Sequence, residues 1–512
     1  MISTLQKLRL EYFPKLPKCL LDFENLEILE GEILENQNLN QLFPKTYRHP
    51  FIRFQKGKSE IPHRVLRVGV VLSGGQAAGG HNVISGLFDA LKKMNLKSEL
   101  FGFLNGPMGI VKNDYKKLDK ETIDPYRNQG GFDLIGSGRD KIETPEQFEA
   151  AAKAMTELKL DGLVIIGGDD SNTNAALLSE YFLAHDIKTC VAGVPKTIDG
   201  DLKNEHIEIS FGFDSATKTY SEIIGNILRD SLSQKKYYFF IKLMGRSASH
   251  IALECALKTH SNMTLIGEEI ASKKLSFKQI TDDICDMVEA RARAKKNYGV
   301  VLIPEGVIEF VPEFKTLIQE LNKKTELSPV SKACFDSLPK EIQSQLLMDR
   351  DPHGNVQVSK IETERLFGDA VEAELKRRNV KFSVQPLFCG YEGRSCLPSN
   401  FDSQYCYALG HVAALLIDNE ITSCMACVKN LKENVENWTL AGVPLTSMMD
   451  IEERKGKQVP VIKKALVDLD GVAFQEFKRV REDWKTDDDY QYPGPIQFFG
   501  PSDLVDSHPL IL

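Results

Sequence analysis

The chain lacks most of the features that would assign it quickly. No run approaches the ~18 apolar residues of a membrane span, and Met1 to Arg9 has no apolar core of a signal peptide. Basic residues are not in excess. The net charge of −8 argues against a general nucleic-acid binder, which would carry a basic stripe or patch. Neither GxxxxGK(S/T) nor GxGxxG occurs, so there is no Walker loop and no dinucleotide fingerprint. Ten cysteines are unremarkable for 512 residues. The one CxxC, Cys424-Met425-Ala426-Cys427, has no second CxxC or HxxxH to complete the roughly four ligands zinc takes, so plain reduced thiols are expected. Fixed-period repeats and low-complexity tracts are missing. What remains is a cytoplasmic protein without membrane or nucleic-acid partners, ordinary in apolar (42%) and charged (27%) content, and long enough for two or more domains.

Residues 1–63 read as an N-terminal arm, broken by Pro14 and Pro17, extended and with short helices at best. From Val65 the texture changes. Val65–Leu72 is a β-branched, apolar run with the look of a buried strand. A glycine loop follows, then Val83, Ile84, Leu87, Phe88 and Leu91 mark one helix face. The same order recurs after Asp161–Ile166, Thr189–Val194, Lys236–Leu243, Thr264–Ile266 and Tyr298–Ile303. Strands alternating with helices predict an α/β protein with mostly parallel sheets, whose site lies beyond the carboxyl ends of the strands. Every polar cluster falls at such an end. Residues 310–380 break the rhythm and read as a helical insertion, Phe388–Arg394 returns to strand and loop, and 405–418 reads as a core helix. In the tail, Asp487-Asp488-Asp489 is expected to be a solvated surface run.

Three clusters carry chemistry. Ser73–Gly80 holds four glycines between a strand and a helix, where inward backbone N–H groups and a helix N-terminus stabilise an anion; a plain tight turn is the alternative. Gly167-Gly168-Asp169-Asp170-Ser171 puts two acids behind a buried strand. One of them, or Ser171, can cap the next helix, but one cap does not need two acids, and a bound Mg²⁺ would offset their repulsion. In Pro195–Asp201, Lys196 could hold phosphate oxygens while Asp199 takes a proton from an attacking hydroxyl, or the two form only a local pair. Arg139, Arg246 and Arg394 each follow a glycine at a strand end, and arginine suits bidentate phosphate recognition. Together the clusters read as an enzyme.

Taken together these motifs resemble the phosphofructokinase family, and more closely its long pyrophosphate-dependent members. They are SGGQAAGGHN (73–82), GSGR (136–139), GGDDS (167–171), PKTIDGD (195–201), MGRSASH (244–250), PEG (304–306) and YEGR (391–394), in the family's order. The resemblance implies two Rossmann-like three-layer αβα domains. A donor-binding domain would cover 64–205 and continue at about 391–455; a sugar-phosphate domain, including the helical insertion, would cover 206–390, followed by a C-terminal segment, 456–512. It implies reversible transfer of phosphate from pyrophosphate to the 1-hydroxyl of fructose 6-phosphate with Mg²⁺. By motif position, Asp199 would be the base and Asp169 the metal ligand. Gly74, Gly75 and Arg139 would contact pyrophosphate. Thr197, Ile198, Asp199, Met244, Gly245, Arg246, Glu305, Tyr391, Glu392, Gly393 and Arg394 would line the sugar phosphate. Lys236 and Tyr237 stand where the family reaches in from a neighbouring subunit, which implies a homo-oligomer of at least two chains.

The donor follows from charge. ATP-using relatives typically have glycine where this chain has Asp170. A carboxylate about 4 Å from a nucleotide's α-phosphate repels it by ~4 kcal/mol at an effective dielectric of ~20, while Lys196 supplies compensating charge to the transferred group. Ala78 departs from the family, which usually has proline there, and is expected to soften the loop. Two rival readings stay open: an ATP-dependent enzyme, against which Asp170 and Lys196 speak, and a non-catalytic regulatory subunit, which would be expected to lose Asp169, Asp170 or Asp199.

Overall fold

The apolar runs become the strands that position everything else. In a computed structural model, residues 3–22, 25–33, 35–57, 62–350, 355–454, 457–494, 506 and 508–512 are described. The strands are β1 (Leu26–Ile33), β2 (Pro50–Lys56), β3 (Arg67–Leu72), β4 (Glu99–Phe103), β5 (Tyr115–Leu118), β6 (Gly162–Gly167), β7 (Cys190–Pro195) and β8 (Tyr238–Leu243). They continue as β9 (Met263–Thr264), β10 (Gly299–Pro304), β11 (Val384–Cys389), β12 (Cys424–Lys429), β13 (Thr439–Pro444), β14 (Met449–Arg454) and β15 (Lys457–Ile462).

The strands make a nine-stranded sheet, β1-β2-β13-β12-β7-β6-β3-β4-β5, a four-stranded sheet, β11-β8-β10-β9, and the hairpin β14-β15. The centre of the large sheet, β12-β7-β6-β3-β4, is parallel, with antiparallel strands on both flanks. The smaller sheet is parallel throughout. The fold is α/β, as the alternation of apolar runs implied.

Strand alternation sorts the core into layers. Val68, Val70, Leu72, Val164 and Ile166 face one layer, and Val71, Leu163 and Ile165 face the other. The first layer also takes Ile241, Leu243, Val300 and Leu302 of the smaller sheet, so the two sheets share one apolar cluster. The outer face of the smaller sheet, with Phe240, Val301 and Ile303, packs under the helical insertion. Parallel register then does the positioning: Leu72 pairs with Ile166 and Gly167 with Pro195, while Leu243 pairs with Pro304 and with Cys389. Loops far apart in the chain therefore emerge side by side.

Several expectations change. Residues 1–63 are not merely an extended arm with short helices: β2 pairs antiparallel with β13, and β1 pairs antiparallel with β2, which extends the large sheet. Phe51, Ile52 and Phe54 supply the buried side chains, a pattern too short to stand out among the charged residues around it. The strand expected at 264–266 is only Met263–Thr264, and the 391–394 segment is a helical turn, Glu392–Ser395. The insertion is helical, with Pro312–Lys323, Pro329–Ser337, Lys340–Met348 and Thr363–Arg377. The C-terminal segment adds a helix, Val472–Thr486, that buries Phe474, Phe477 and Trp484. The acid run after it is not simply solvated. Asp488 accepts from the fully buried Arg291 at 2.8 Å and from Tyr298 Oη at 2.7 Å, and His260 Nδ1 lies 3.0 Å from Asp489 Oδ2.

Cys424 and Cys427 lie on opposite faces of β12, one in each core layer, so they cannot share a metal, and both are free thiols. Among the described residues no helix is long and apolar enough to cross a membrane.

Candidate active site

The ends of β3, β6 and β7 open into a cavity of about 460 Å³. Gly74, Gly75, Arg139, Asp169, Asp170, Lys196, Thr197, Ile198, Asp199, Arg246 and Arg394 all line it. These residues come from six separate stretches, and the strand register brings them together.

The glycine loop forms one wall. Gly74 has φ +86°, a backbone that side chains rarely adopt, and a Cβ there would press on Lys196 Nζ at 3.2 Å. A Cβ at Gly75 would overlap the Arg394 guanidinium and lie 3.7 Å from Arg139 Nη2. Three cationic heads thus converge on two glycines, and only glycine leaves them room. Lys196 Nζ donates to Gly75 O at 2.6 Å, Ser137 Oγ donates to Gly74 O at 2.6 Å and Gly74 N donates to Gly138 O at 2.8 Å. Ala77 and Ala78 are fully buried, so packing encloses the loop from beneath at the position where softening was expected.

Lys196 is buried, and burial pushes its pKa down to about 8. Arg394 and Arg139 push the same way, while Asp199 and Asp169 oppose them. A nearby anion would raise it again.

Asp169 and Asp170 begin the helix Asp169–Ala184, whose N-cap is Gly168 with no side-chain cap. The capping alternative for these acids is therefore not what the structure shows. Ser171 instead donates to Ser73 Oγ at 2.8 Å. Asp170 pairs with Lys141 at 3.0 Å and its side chain is 56% exposed. Asp169 faces Lys464 at 3.5 Å. That lysine also lies 3.7 Å from Asp201 and donates to Ser247 Oγ at 2.8 Å. Burial works against its charge, but Asp169, Asp201 and Asp199 outweigh it and raise its pKa. Burial foremost, then the Asp199 carboxylate, pushes the Asp201 carboxyl upward, and Asp169 adds to this.

The sequence motifs give no role to Lys141, Ser247 or Lys464. Lys464 lies almost 300 residues beyond Asp169, two residues past the end of β15, a strand of the separate β14–β15 hairpin, and it has none of the glycine loops that mark the other clusters.

Other candidates stand behind the cavity wall. Arg394 Nε contacts Met244 Sδ at 2.9 Å, and Gly245 N donates to Glu305 Oε2 at 3.0 Å. Glu305 is buried, which raises its pKa. Gly393 packs on the Tyr220 ring, whose hydroxyl donates to Gly390 O. Tyr391 is 69% exposed, and neither it nor Glu392 lines the cavity. Lys236 and Tyr237 precede β8, at the end of that strand opposite the cavity, and Lys236 is exposed.

With this geometry in view, comparison with known proteins is decisive. The phosphofructokinase family matches residues 67–417. The chain belongs to the phosphofructokinase family. A relative from Entamoeba histolytica named pyrophosphate–fructose 6-phosphate 1-phosphotransferase is 50% identical, over 99% of this chain and 98% of that one. The beta subunit of the Solanum tuberosum enzyme of that name is 52% identical over 93% of this chain and 87% of its own. Among solved structures, a pyrophosphate-dependent phosphofructokinase from Nitrosospira multiformis overlays with a TM-score of 0.59 at 16% identity, covering 83% of this chain and 93% of that one. At that identity the overlay speaks for the phosphofructokinase fold.

The family's chemistry calls for a divalent cation, and the acids here fit one. Asp169 and Asp201 already draw a lysine ammonium between them, and Asp201 is pushed toward neutrality by neighbouring carboxylates. Among the described residues there is no group of three His, Cys, Asp or Glu. A divalent cation held through one or two carboxylates would complete its shell with water and phosphate.

Proposed function

We propose that this chain transfers a phosphoryl group from pyrophosphate to the 1-hydroxyl of fructose 6-phosphate, giving fructose 1,6-bisphosphate and phosphate, reversibly and in the cytoplasm. The observation that carries the reading is the convergence of Lys196, Arg139 and Arg394 on Gly74–Gly75, opposite a helix whose first turn bears Asp170. The cations favour a short, highly charged donor, and the carboxylate disfavours a longer nucleotide.

In this reading Asp199 takes the proton from the sugar 1-hydroxyl. That oxygen attacks the near phosphorus of pyrophosphate, the bridging P–O bond breaks, and phosphate leaves with the bond's electron pair. Lys196 and Arg139 hold the charge that moves onto the donor oxygens. Mg²⁺, held through Asp169, neutralises phosphate charge when bound. Thr197, Ile198, Arg246 and Arg394 hold the sugar phosphate from inside the cavity. Met244, Gly245, Glu305, Tyr391, Glu392 and Gly393 shape that wall from behind.

Lys236 and Tyr237 face away from this chain's own cavity, and a second copy of the chain would receive them, so the working unit is at least a homodimer. The test is turnover by the purified chain with pyrophosphate, then with ATP, in both directions. Fructose 1,6-bisphosphate formed only with pyrophosphate supports the reading. Turnover with ATP alone, or none with either donor, overturns it.

A further inference from the structure

The segment 463–467 leaves the β14–β15 hairpin and brings Lys464 to the cavity. Its backbone is pinned at every other step. Lys463 N donates to Met448 O at 3.1 Å and Ala465 N to Asp201 O at 2.7 Å. Ala465 O lies 3.0 Å from His250 Nε2. Val467 N donates to Glu268 Oε1 at 3.0 Å, the oxygen that also accepts from Ser249 N at 3.0 Å. Asp201 belongs to the loop after β7, while Ser249 and His250 stand at the start of the helix His250–Thr259 and Glu268 in the helix Gly267–Lys273, both beside the smaller sheet. The strap therefore ties the two domains together across the site.

Lys464 is the strap residue whose side chain lines the cavity. Its ammonium touches both domains at once: Ser247 on one side, at 2.8 Å, and Asp169 and Asp201 on the other, at 3.5 and 3.7 Å. Ser247 can accept this bond, but a serine hydroxyl alone does not hold a lysine. The acids do, and Asp169 is the residue to which the proposed function assigns the divalent cation.

We propose that Lys464 is a binding residue of the donor site that exchanges partners: it neutralises Asp169 and Asp201 until a divalent cation arrives, then turns its ammonium to the oxygens of pyrophosphate. The inference rests on the reading of the cavity as a pyrophosphate site. A lysine is suited to the exchange, since its charge is a compact point on a flexible stem and needs no fixed fork of acceptors. The strap keeps the backbone still, so only the side chain has to move.

The charge of Lys464 then acts with opposite sign on the two ligands. It repels the metal and attracts the anion. Calorimetric titrations of the full-length wild type and K464M with Mn²⁺ alone, and with pyrophosphate alone in chelator, read this directly. Mn²⁺ is expected to bind K464M about fivefold more tightly, and pyrophosphate about tenfold more weakly. K464R, which keeps the charge, is expected to stay within about threefold of wild type for pyrophosphate. Fructose 6-phosphate affinity is the internal control and is expected to hold in both variants. A lysine that only ties the strap would weaken both ligands together or neither; either result overturns the proposal, as does unchanged pyrophosphate binding in K464M. K464Q repeats the measurement should K464M not fold. Failure of the pyrophosphate reading itself would show separately, as wild-type protein that neither binds nor turns over pyrophosphate.

Discussion

Replacing Asp170 with glycine tests the donor argument at its weakest joint. Two unit charges about 4 Å apart repel by ~4 kcal/mol at an effective dielectric of ~20, and by only ~1 kcal/mol at that of water. The structure moves the estimate down from the first figure. Asp170 is 56% exposed and pairs with Lys141 at 3.0 Å, so water screens it and a cation half cancels it. A net penalty on a nucleotide's α-phosphate of ~2 kcal/mol follows, or roughly thirtyfold in affinity. Asp170→Gly is therefore expected to raise kcat/KM for ATP by at least about tenfold, short of the thousandfold that bare repulsion would give. Pyrophosphate use is expected to fall several-fold, because Lys141 loses the partner that holds it at the cavity and glycine loosens the first helical turn by ~1 kcal/mol. The assay is steady-state turnover with each donor at saturating fructose 6-phosphate. Asp170→Asn separates charge from space, since it removes the charge and keeps the shape. If Asp170→Gly kept full pyrophosphate activity and gained nothing with ATP, the assignment of Asp170 would be refuted.

Three further outcomes are expected. Lys196 must be charged to receive an anion, and its pKa in the free protein is lowered to about 8; kcat/KM for pyrophosphate should be level below that pH and fall above it, and Lys196→Arg, which stays charged, should shift the fall upward. Asp199→Asn should lower kcat by about 10²–10⁴-fold, with pyrophosphate binding measured by calorimetry changed far less. For stability, burial opposes the charge of Glu269, but hydrogen bonds from Arg481 and Lys273 win and lower its pKa from 4.5 to about 2. A lowered carboxylate pKa gives stability that is fully present above the unfolded value and lost as pH falls through the folded one. Glu269 should contribute at most ~3 kcal/mol above about pH 5, lost towards pH 2; urea unfolding of Glu269→Gln across that range should show a flatter acid limb than wild type.

Most of the site residues legible in the sequence sit within a few residues of a strand end; Arg139 does not, since it lies in the long connection between β5 and β6. Asp169, Asp170, Lys196 and Asp199 follow β-branched runs, so the run announces the strand and the strand announces where the polar loop must lie. Arg139 and Arg394 were marked by the glycines before them. The structure adds that both reach the same spot, above Gly75. The N-terminal strands were harder to see, because β1 alternates leucine and isoleucine with glutamates and buries little beyond Leu26. Of the two, β2 pairs with β13, nearly 400 residues away, and β1 pairs in turn with β2.

The sequence by itself determined the α/β class, the phosphate-binding loops and the family, because strand periodicity and short motifs are local properties of a chain. Tertiary structure alone decided who neutralises whom. Lys141 on Asp170, Lys464 between Asp169 and Asp201, and Asp488 on Arg291 are contacts across some 30 to 300 residues. Charge acts through space and not along the chain, so only the folded register of the strands, and the strap laid across them, could settle these pairs.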